Sequence, residues 1–424
     1  MTTSLDQRGA LVWPLRTFAS LITEMRGGAP LKPSDFTKSG VKVVPKGGIG
    51  RKGWIEVEDR DLQYCSEEFA SAHRTNSVTD EYTLVVLRDL VPSGPSIGLI
   101  VRMSDPDCWI LAQGVYGFRL NRDADPAFLS QVSNTQWYRR IMNQIMVGST
   151  QVHITNTAFK SIAIPVPEIE EQRAIATALS DVDALIAGLE KLIAKKRDLK
   201  QAAMQQLLTG QTRLPGFSGQ WSVKRLGDHF SILKNGVNSR AELSVEGGVA
   251  YLHYGDIHGS KSLFLNPQST TMPTLPLAKA KDLDRLQSGD LVFADVSEDL
   301  DGVGKSVEVQ GSGVLDLVSG QHTIAIRFDK TVLADGFKAY LQFFPAFSAH
   351  LYKLAAGTKV YATNRSHIAS AEIKLPEVDE QIAIASILHS MDTELSSIEN
   401  RLEKVCQLKQ GMMQELLTGR TRLV

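Results

Sequence analysis

Nearly the same ending occurs twice in this sequence. The string QLLTGQTRL occupies residues 206–214, and ELLTGRTRL occupies residues 415–423. The likeness continues upstream at a constant spacing of 209 positions, so that IPVPEIEEQRAIATAL (164–179) aligns with IKLPEVDEQIAIASIL (373–388) without a gap. An internal repeat constrains the fold strongly, because two copies of one unit are expected to fold alike.

A fainter likeness extends further upstream, at a spacing of about 208 positions. VPKGGI (44–49) corresponds to LHYGDI (252–257), and QGVYGFRL (113–120) corresponds to QHTIAIRF (321–328). A period this long indicates a two-unit duplication rather than a stack of small repeats. The predicted boundaries are a globular domain at residues 1–165, a helical segment at 166–214, a second globular domain at 215–375 and a second helical segment at 376–424.

Each helical segment carries apolar residues at steps of three and four positions. Such an a/d stripe over more than about four heptads is typical of a coiled-coil seam. Lys196, Lys200 and Lys409 interrupt the stripe, which predicts either imperfect packing there or lysine stems that extend past the seam to solvent. The stripe residues are Ile175, Leu179, Val182, Ile186, Leu189 and Ile193 in the first copy, and Ile384, Leu388, Met391, Leu395, Ile398 and Leu402 in the second.

Both helical segments carry start and stop signals. Pro167 and Pro376 precede acidic first turns, which suit the positive end of the helix dipole. Gly210 and Gly419 stand where a helix commonly ends. A helix of about 37 residues is roughly 55 Å long and cannot bury such a stripe by itself. We therefore expect the two helices to pack against each other in antiparallel fashion; the alternative is that each packs on its own globular domain.

The globular stretches are predicted to mix strands and helices. Runs rich in β-branched residues predict strands at residues 41–44, 82–87, 290–296 and 322–328. Helices are expected at residues 126–145 and 336–354, the second of them broken or kinked at Pro345. The predicted fold class is α/β, with two mixed α/β domains separated by two long antiparallel coiled-coil helices in a pseudo-twofold duplication.

Charge and cysteine usage limit the partners. The formal net charge is −1, so any polyanion must be bound by local basic patches rather than by a whole-molecule field. Cys65, Cys108 and Cys406 are far apart and form no CxxC pair, which fits a reducing cytosol and argues against a zinc site. No signal-peptide core begins the sequence, and no apolar run approaches about 18 residues. We therefore expect a cytoplasmic protein that does not enter a membrane.

Three strings resemble catalytic motifs without their context. GIGRKG (48–53) fits a dinucleotide loop, but a strand-like segment follows instead of a helix. DGVGKS (301–306) ends like a phosphate-binding loop, but Asp299 stands where the first glycine is required. EIK (372–374) resembles the end of a nuclease motif, but this sequence has no Pro-Asp at a suitable distance upstream. We therefore expect a non-catalytic binding protein without a cofactor or metal; the alternative is a stand-alone NTPase or nuclease.

The repeated P-x-x-x-E-Q-x-x-I-A-x-x-L start and L-L-T-G-x-T-R-L ending, with GSTQVHITNTAFKSIAIPVP (148–167), resemble the specificity subunit of type I restriction–modification enzymes. The resemblance covers essentially the whole chain, and the helical segments are its specific part. It implies two target recognition domains, each of which reads one half of a split, asymmetric DNA sequence. It also implies that the two helices form the spacer between them.

The resemblance further implies partners and the absence of catalysis in this chain. Two methyltransferase subunits would dock on it and methylate adenine in double-stranded DNA, and the restriction (motor-nuclease) subunits would join that complex. Because the net charge is near zero, we expect the chain alone to bind DNA weakly. The LKQ repeat (199–201 and 408–410), with Arg213 and Arg422, is the candidate docking surface for the methyltransferase.

Two loops in each globular domain are candidates for DNA contact. The first loop places basic or aromatic residues beside glycines that permit close backbone approach, and the second loop precedes the long helix. Arg suits guanine, and Asn or Gln suits adenine. The alternatives are that these are ordinary solvated loop residues, or that the chain is a coiled-coil scaffold that binds only proteins. The candidates are Lys46, Arg51, Lys52, Gln151, His153 and Asn156 in the first half, and Tyr254, His258, Lys261, Lys359, Tyr361, Asn364 and Arg365 in the second.

Overall fold

A computed structural model describes residues 13–244, 247–311, 314–355 and 360–424. These residues form two compact units. The first comprises the described residues up to Lys191 together with Asn400–Val424, and the second comprises Leu192–Glu399. Both units mix short strands with helices, which confirms the predicted α/β class.

The first unit is built on short strands that are joined by turns and by short helices. Its strands are β1 (Leu15–Thr17), β2 (Ile22–Gly27), β3 (Phe36–Thr37), β4 (Val41–Val44), β5 (Gln63–Cys65), β6 (Ser77–Val78), β7 (Thr83–Val86), β8 (Arg88–Asp89), β9 (Ile100–Arg102), β10 (Trp109–Leu111), β11 (Val115–Leu120), β12 (Val152–His153) and β13 (Ala163–Pro165). Its helices are α1 (Phe18–Leu21), α2 (Glu67–Ala72), α3 (Pro126–Ser133), α4 (Gln136–Ile145), α5 (Asn156–Lys160) and the start of α6 (Ile169–Leu207).

The strands of the first unit form two main sheets. One has the order β3-β5-β4-β10-β6 and the other has the order β2-β11-β7-β9, while β1 pairs with β13 and β8 pairs with β12. β4 and β10 run parallel, and the other neighbours are antiparallel. A large core forms around Phe18, whose ring stacks on Phe159 at 4.6 Å between centroids. The same core includes Leu416 and Leu417 from the end of the chain.

The second unit repeats this plan. Its strands are β14 (Ser222–Arg225), β15 (Phe230–Ile232), β16 (Val249–Leu252), β17 (Phe264–Leu265), β18 (Thr274–Leu275), β19 (Arg285–Gln287), β20 (Leu291–Ala294), β21 (Val296–Ser297), β22 (Ser306–Val309), β23 (Val314–Ser319), β24 (Thr323–Phe328), β25 (Tyr361–Ala362) and β26 (Glu372–Leu375). Its helices are α7 (Tyr254–Gly259), α8 (Leu277–Ala280), α9 (Pro345–Leu354), α10 (Arg365–Ala369) and α11 (Val378–Leu416), of which the last turns belong to the first unit.

The strand pairing shows that the two units are repeats of one fold. The second unit has sheets in the orders β15-β24-β20-β22-β17 and β18-β16-β23-β19, with the pairs β14-β26 and β21-β25. Tyr116 faces Val85 between β11 and β7, and Ile324 faces Phe293 between β24 and β20. Each residue of the second pair lies 208 positions after its counterpart in the first pair. The strand register is therefore the same in both units, although the residue types differ.

The long helices α6 and α11 contain 39 residues each and lie side by side within each unit. In the second unit, Lys196 Nζ lies 2.7 Å from a Glu394 carboxylate oxygen, and Lys200 bonds to Asp392. The partner number falls as the lysine number rises, so the helices are antiparallel, as predicted. In the first unit, Lys409 Nζ lies 2.5 Å from Asp183. The three lysines that interrupt the stripe therefore pair with carboxylates of the facing helix, which the sequence analysis did not predict.

The stripe residues are buried to different degrees along the helices. Ile175 and Leu179, like Ile384 and Leu388, are at most 1% exposed and belong to the cores of the globular parts. The start of each helix therefore packs on a globular core, as the alternative interpretation held. Further along, Leu189 and Ile193 are buried, whereas Val182, Ile186, Met391, Leu395, Ile398 and Leu402 are half-buried.

The repeated ending caps one helix and binds the start of the other. Gly210 and Gly419 have φ of +70° and +73°, the left-handed conformation in which helices often end. A tryptophan packs on each: a Cβ added to Gly419 would lie 3.3 Å from the Trp13 ring, and one added to Gly210 would lie 3.2 Å from the Trp221 ring. The predicted stop signals are therefore confirmed.

An arginine in each repeated ending binds a buried glutamate. Arg213 donates to both carboxylate oxygens of Glu380 at 2.6 Å, and Arg422 Nε donates to Glu171. Glu380 and Glu171 are 2% and 1% exposed. Each acid lies in the first turn of the other copy's helix. The repeated ending of one copy and the repeated helix start of the other therefore contact each other. Both arginines, which were candidates for partner docking, thus have an intramolecular partner.

Two predicted elements differ in detail from the structure. The helix expected at residues 126–145 is two helices, because Thr135 Oγ1 accepts a hydrogen bond from Tyr138 N at 3.3 Å and caps a new helix there. The segment at residues 336–354 breaks at Pro345 as predicted, with a 3₁₀ turn before it and α9 after it. In the part of the chain that the structure describes, no helix is long and apolar enough to cross a membrane.

Candidate nucleic-acid interface

A tight turn occurs at the equivalent place in both units, just before β11 and just before β24. It contains Gly114 in the first unit, with φ of +93°, and His322 in the second, with φ of +58°. The Gly114 carbonyl accepts a hydrogen bond from Leu87 N at 3.0 Å, and the His322 carbonyl accepts one from Asp295 N at 3.1 Å. The turn therefore has a positive φ and makes an equivalent backbone hydrogen bond in both units, although its side chains differ.

The same turn is tied to the loop that leads into each long helix. Leu87 O accepts a hydrogen bond from Ile154 N at 2.8 Å, and Asp295 O accepts one from Thr363 N at 2.8 Å. Leu87 and Ile154 are buried apolar residues. Polar residues occupy both positions in the second unit. The backbone hydrogen bonds are therefore repeated, but the polarity of the side chains is not.

In the first unit, predicted DNA contacts gather around the Gly114 turn. A Cβ added to Gly114 would lie 3.0 Å from Lys46 Nζ and 3.0 Å from Arg88 Cβ. Arg88 donates to Gln151 Oε1 at 2.9 Å and pairs with His153 across β8 and β12. The structure thus brings Lys46, Gln151 and His153 together around Arg88.

The electrostatics of this cluster favour an anionic or acceptor-rich ligand. Burial lowers the pKa of Lys46; the nearby carboxylate of Asp89 opposes this shift and the charge of Arg88 adds to it. Arg88, Gln151 and His153 are exposed. A half-buried ammonium beside exposed donors can bind a phosphate or a base edge.

The other end of the first loop contacts a different part of the unit. Arg51 and Lys52 are exposed, and the Arg51 carbonyl accepts a hydrogen bond from Asn134 Nδ2 at 2.8 Å, between α3 and α4. The guanidinium of Arg102 lies 3.8 Å from the ring centroid of Trp54, which is 42% exposed. These residues form a second basic and aromatic patch. The structure therefore does not join Arg51 and Lys52 to the Gly114 turn.

Asn156 is the first residue of α5 in the second loop of the first unit. The preceding residue, Thr155, caps the helix by accepting a hydrogen bond from Ala158 N at 3.1 Å. Asn156 is exposed, so its amide is available to a ligand.

In the second unit, aromatic and imidazole rings surround the turn. Tyr254 stands at the position of Lys46, and its ring lies 5.5 Å from the His322 ring and 6.2 Å from the His258 ring. His322 Nδ1 lies 3.2 Å from Asp295 Oδ1. Burial raises the pKa of Asp295, and the neighbouring His322 opposes this shift.

A cavity of about 450 Å³ opens beside Asp295 in the second unit. Arg365 lines it and donates to Asn235 Oδ1 at 2.9 Å. Asn364 also lines it and caps α10 by accepting a hydrogen bond from His367 N at 3.0 Å. The walls thus combine a guanidinium, a carboxylate and an amide, which together can match the donors and acceptors of base edges.

The remaining predicted residues of the second unit lie in varied surroundings. His258 Nε2 lies 2.8 Å from the carbonyl oxygen of Val296, so this nitrogen donates to the framework. Tyr361 lies in β25 and is half-buried against the core. Lys261 is exposed, and Lys359 lies outside the described residues.

Sequence reasoning missed Arg88, Asp295 and His322. The alignment of the two halves did contain one signal, since His322 stands opposite Gly114 in the aligned strings QHTIAIRF and QGVYGFRL. A large residue opposite a glycine at a turn indicates either a changed backbone or a strained one. Strand pairing was needed to bring Asp295 and Arg88 to this place.

The catalytic-looking strings have ordinary structural surroundings. Lys305 of DGVGKS donates to the His258 carbonyl at 2.7 Å, so its ammonium is engaged by the protein. Ile373 of EIK is buried in β26, and its neighbours Glu372 and Lys374 are exposed. Among the described residues, no group of three or more His, Cys, Asp or Glu side chains could hold a metal ion.

Comparisons with known proteins agree with this organisation. The family model described as type I restriction modification DNA specificity domain matches residues 54–196. The chain is 26% identical over 301 residues to the MjaX type I restriction enzyme specificity subunit of Methanocaldococcus jannaschii, and 27% identical over 288 residues to the MjaVIII specificity subunit of the same organism. These alignments cover 67% and 65% of this chain, and they span 64% and 66% of the length of those relatives.

The fold is also found in a solved structure. The crystal structure of a type I restriction–modification system S subunit from M. genitalium matches with a TM-score of 0.61 at 14% identity, covering 98% of this chain and 99% of that one. That likeness shows the fold. In sequence, the chain is similar to the DNA specificity subunits of type I restriction–modification enzymes.

Proposed function

We propose that this chain is the sequence-specific DNA-binding subunit of a type I restriction–modification complex, that it reads a bipartite asymmetric DNA site, and that it performs no catalysis itself. The observation that carries the proposal is the repeated turn. Gly114 and His322 both have a positive φ and accept equivalent backbone hydrogen bonds, and the side chains around them differ in charge, size and hydrogen-bonding capacity. Two readers with one frame and different side chains recognise two different short sequences, so the site they read together is not a palindrome.

The two readers have different chemistry. The first unit offers cationic and amide groups at Lys46, Arg88 and Gln151, which suit phosphates and the acceptor-rich edge of guanine. The second offers an imidazole at His322 and a carboxylate at Asp295, which can also address base amino groups. The proposed recognition domains are residues 1–165 and 215–375, and the helical spacers are 166–214 and 376–424.

The proposed partners are double-stranded DNA, two methyltransferase subunits and the restriction subunits, in the cytoplasm. Leu199 and Leu408 support the number of methyltransferases, since they occupy equivalent positions of α6 and α11 and are 48% and 58% exposed. Two equivalent apolar positions in one chain offer one contact to each of two identical partners. The near-zero net charge supports the need for partners in DNA binding.

The test is selection of random duplexes by the full chain assembled with its methyltransferase. We expect a two-part, non-palindromic consensus. The double variant Lys46→Ala/Gln151→Ala should alter only one part of it, and Arg365→Ala only the other. Arg225→Ala is the matched control, because Arg225 is an exposed arginine on β14 whose nearest ion-pair partner is Asp228. A complex that assembles but enriches no sequence would refute the proposal and favour a scaffold that binds only proteins.

A further inference from the structure

His322 is held in a conformation that glycine adopts more easily. Its φ of +58° is the one positive φ of a non-glycine residue in the described segments. A side chain in this region costs on the order of 1 kcal/mol, and such residues persist where the surroundings or the function require them. The first unit makes the same turn with Gly114, so the fold itself does not need the imidazole.

The imidazole is oriented by its neighbours. Asp295 Oδ1 lies 3.2 Å from His322 Nδ1, and because a carboxylate only accepts hydrogen bonds, Nδ1 carries the proton. The edge of the Tyr254 ring packs against the imidazole at 5.5 Å between centroids and an interplanar angle of 85°. Among the residues that the structure describes, none is hydrogen-bonded to His322 Nε2, and the side chain is 46% exposed.

When Nδ1 is the donor, the neutral form of the imidazole has Nε2 as an acceptor at the surface. In the major groove, the exocyclic amino groups of adenine and cytosine are the donors that such an acceptor can bind. The guanidinium of Arg365, on the wall of the adjacent cavity, has donors only and suits guanine instead. Two neighbouring side chains of the second unit thus have complementary preferences.

We infer that His322, positioned by Asp295, is a specificity-determining residue of the second unit and accepts a hydrogen bond from the amino group of an adenine or a cytosine in its half-site. This inference rests on the proposed function and adds to it the class of base that is read. Asp295 acts as a positioning residue, since its carboxylate fixes which imidazole nitrogen is protonated.

The experiment compares base analogues in the assembled complex. Each adenine or cytosine of the selected consensus is replaced in turn by purine or by pyrimidin-2-one, which lack the amino group. At one position of the second half-site, the wild-type complex should lose about five- to tenfold in affinity, the size of one hydrogen bond. The His322→Gly complex should bind the natural and the modified duplex equally at that position. Glycine suits the positive φ, so this variant is expected to fold.

Asp295 is tested by a matched pair of substitutions. Asp295→Leu introduces the residue found at the equivalent position of the first unit. This variant should no longer discriminate between the natural and the modified duplex. Asp295→Asn should retain much of it, because the amide oxygen can still accept the Nδ1 proton. If the wild-type complex selects a sequence but His322→Gly keeps every analogue effect, this inference is wrong and the proposed function stands. If the wild-type complex selects no sequence, the proposed function itself fails.

Discussion

The two turns at Gly114 and His322 lie at equivalent positions of the two units and have different surroundings. In the first unit, the turn lies beside Lys46 and rests on the buried Leu87 and Ile154. In the second, the equivalent hydrogen bonds are made by Asp295 and Thr363, and an imidazole replaces the glycine hydrogen. By contrast, the contacts that end the helices are nearly identical in the two units. The comparison teaches that duplication preserved the residues at the helix ends, whereas at the turn it preserved the backbone hydrogen bonds but not the side chains.

A second contrast lies between β9 of the first unit and β22 of the second, which pair with the equivalent strands β7 and β20. Arg102 pairs with Thr83 across β9 and β7, and Glu308 pairs with Leu291 across β22 and β20. Arg102 covers the exposed ring of Trp54. Glu308 is 1% exposed and accepts hydrogen bonds from Gly336 N and Ala339 N. The side chain at this strand position therefore covers a surface ring in the first unit and is buried in the interior of the second.

The largest expected effect tests whether the shared contacts are structural. Glu171→Ala leaves the Arg422 guanidinium without its partner, and we expect the free energy of unfolding to fall by roughly 3 kcal/mol, at the low end for a buried pair because Arg422 is partly exposed. Urea unfolding of the full chain measures this loss. The preferred DNA sequence of the assembled complex should not change. An altered consensus would show that frame and readout are not separable.

The next effect is a pH dependence of stability that we expect in the second unit. Burial raises the pKa of Glu308 to about 7. Because the folded chain then binds more protons than the unfolded chain between about pH 4.5 and 7, the stability of the second unit should fall as pH rises through that window, by about 2 kcal/mol. The measurement is the difference in unfolding free energy between Glu308→Gln and the wild type at several pH values. We expect this difference to grow in favour of the variant as pH rises; a constant difference would contradict the shift.

A smaller effect concerns the reading of DNA by the second unit. Arg365→Ala removes a guanidinium from the cavity wall, and we expect about a tenfold loss of affinity for the consensus duplex, at one or two positions of one half-site. Competition binding with single-base variants locates those positions. Arg225→Ala should bind like the wild type. Uniform weakening across all sequences would instead identify Arg365 as a phosphate contact.

The smallest expected effect is the change in stability when the turn residues themselves are substituted. Gly114→Ala should cost about 1 kcal/mol, because φ is +93° and the new Cβ would lie 2.9 Å from Lys46 Cε. His322→Gly should leave stability unchanged or raise it by a few tenths of a kcal/mol, since strain is relieved while the bond to Asp295 is lost. Thermal unfolding of the two variants gives the comparison. Equal losses in both would mean that the imidazole holds the turn.

Much of the site was outside the reach of sequence reasoning for physical reasons. Lys46, Gln151 and His153 were predicted from loop composition, and the structure does gather them around one turn. Arg51 and Lys52 share a loop with Lys46, but the Arg51 carbonyl is bound by Asn134 between α3 and α4 and Lys52 pairs with Glu56. Proximity along the chain therefore did not establish proximity in space.

The sequence by itself determined the duplication, the two long helices, their ends and the resemblance to specificity subunits. These features are local or periodic: a heptad stripe, a proline and acidic start, and a glycine stop act within a few turns of one helix. Only the tertiary structure decided that each repeated ending binds the other copy's helix start, and that Asp295 and Thr363 meet at the turn of His322. Those contacts join residues that are far apart along the chain, and the pairing of strands and helices, which no short stretch of residues encodes, sets which of them meet.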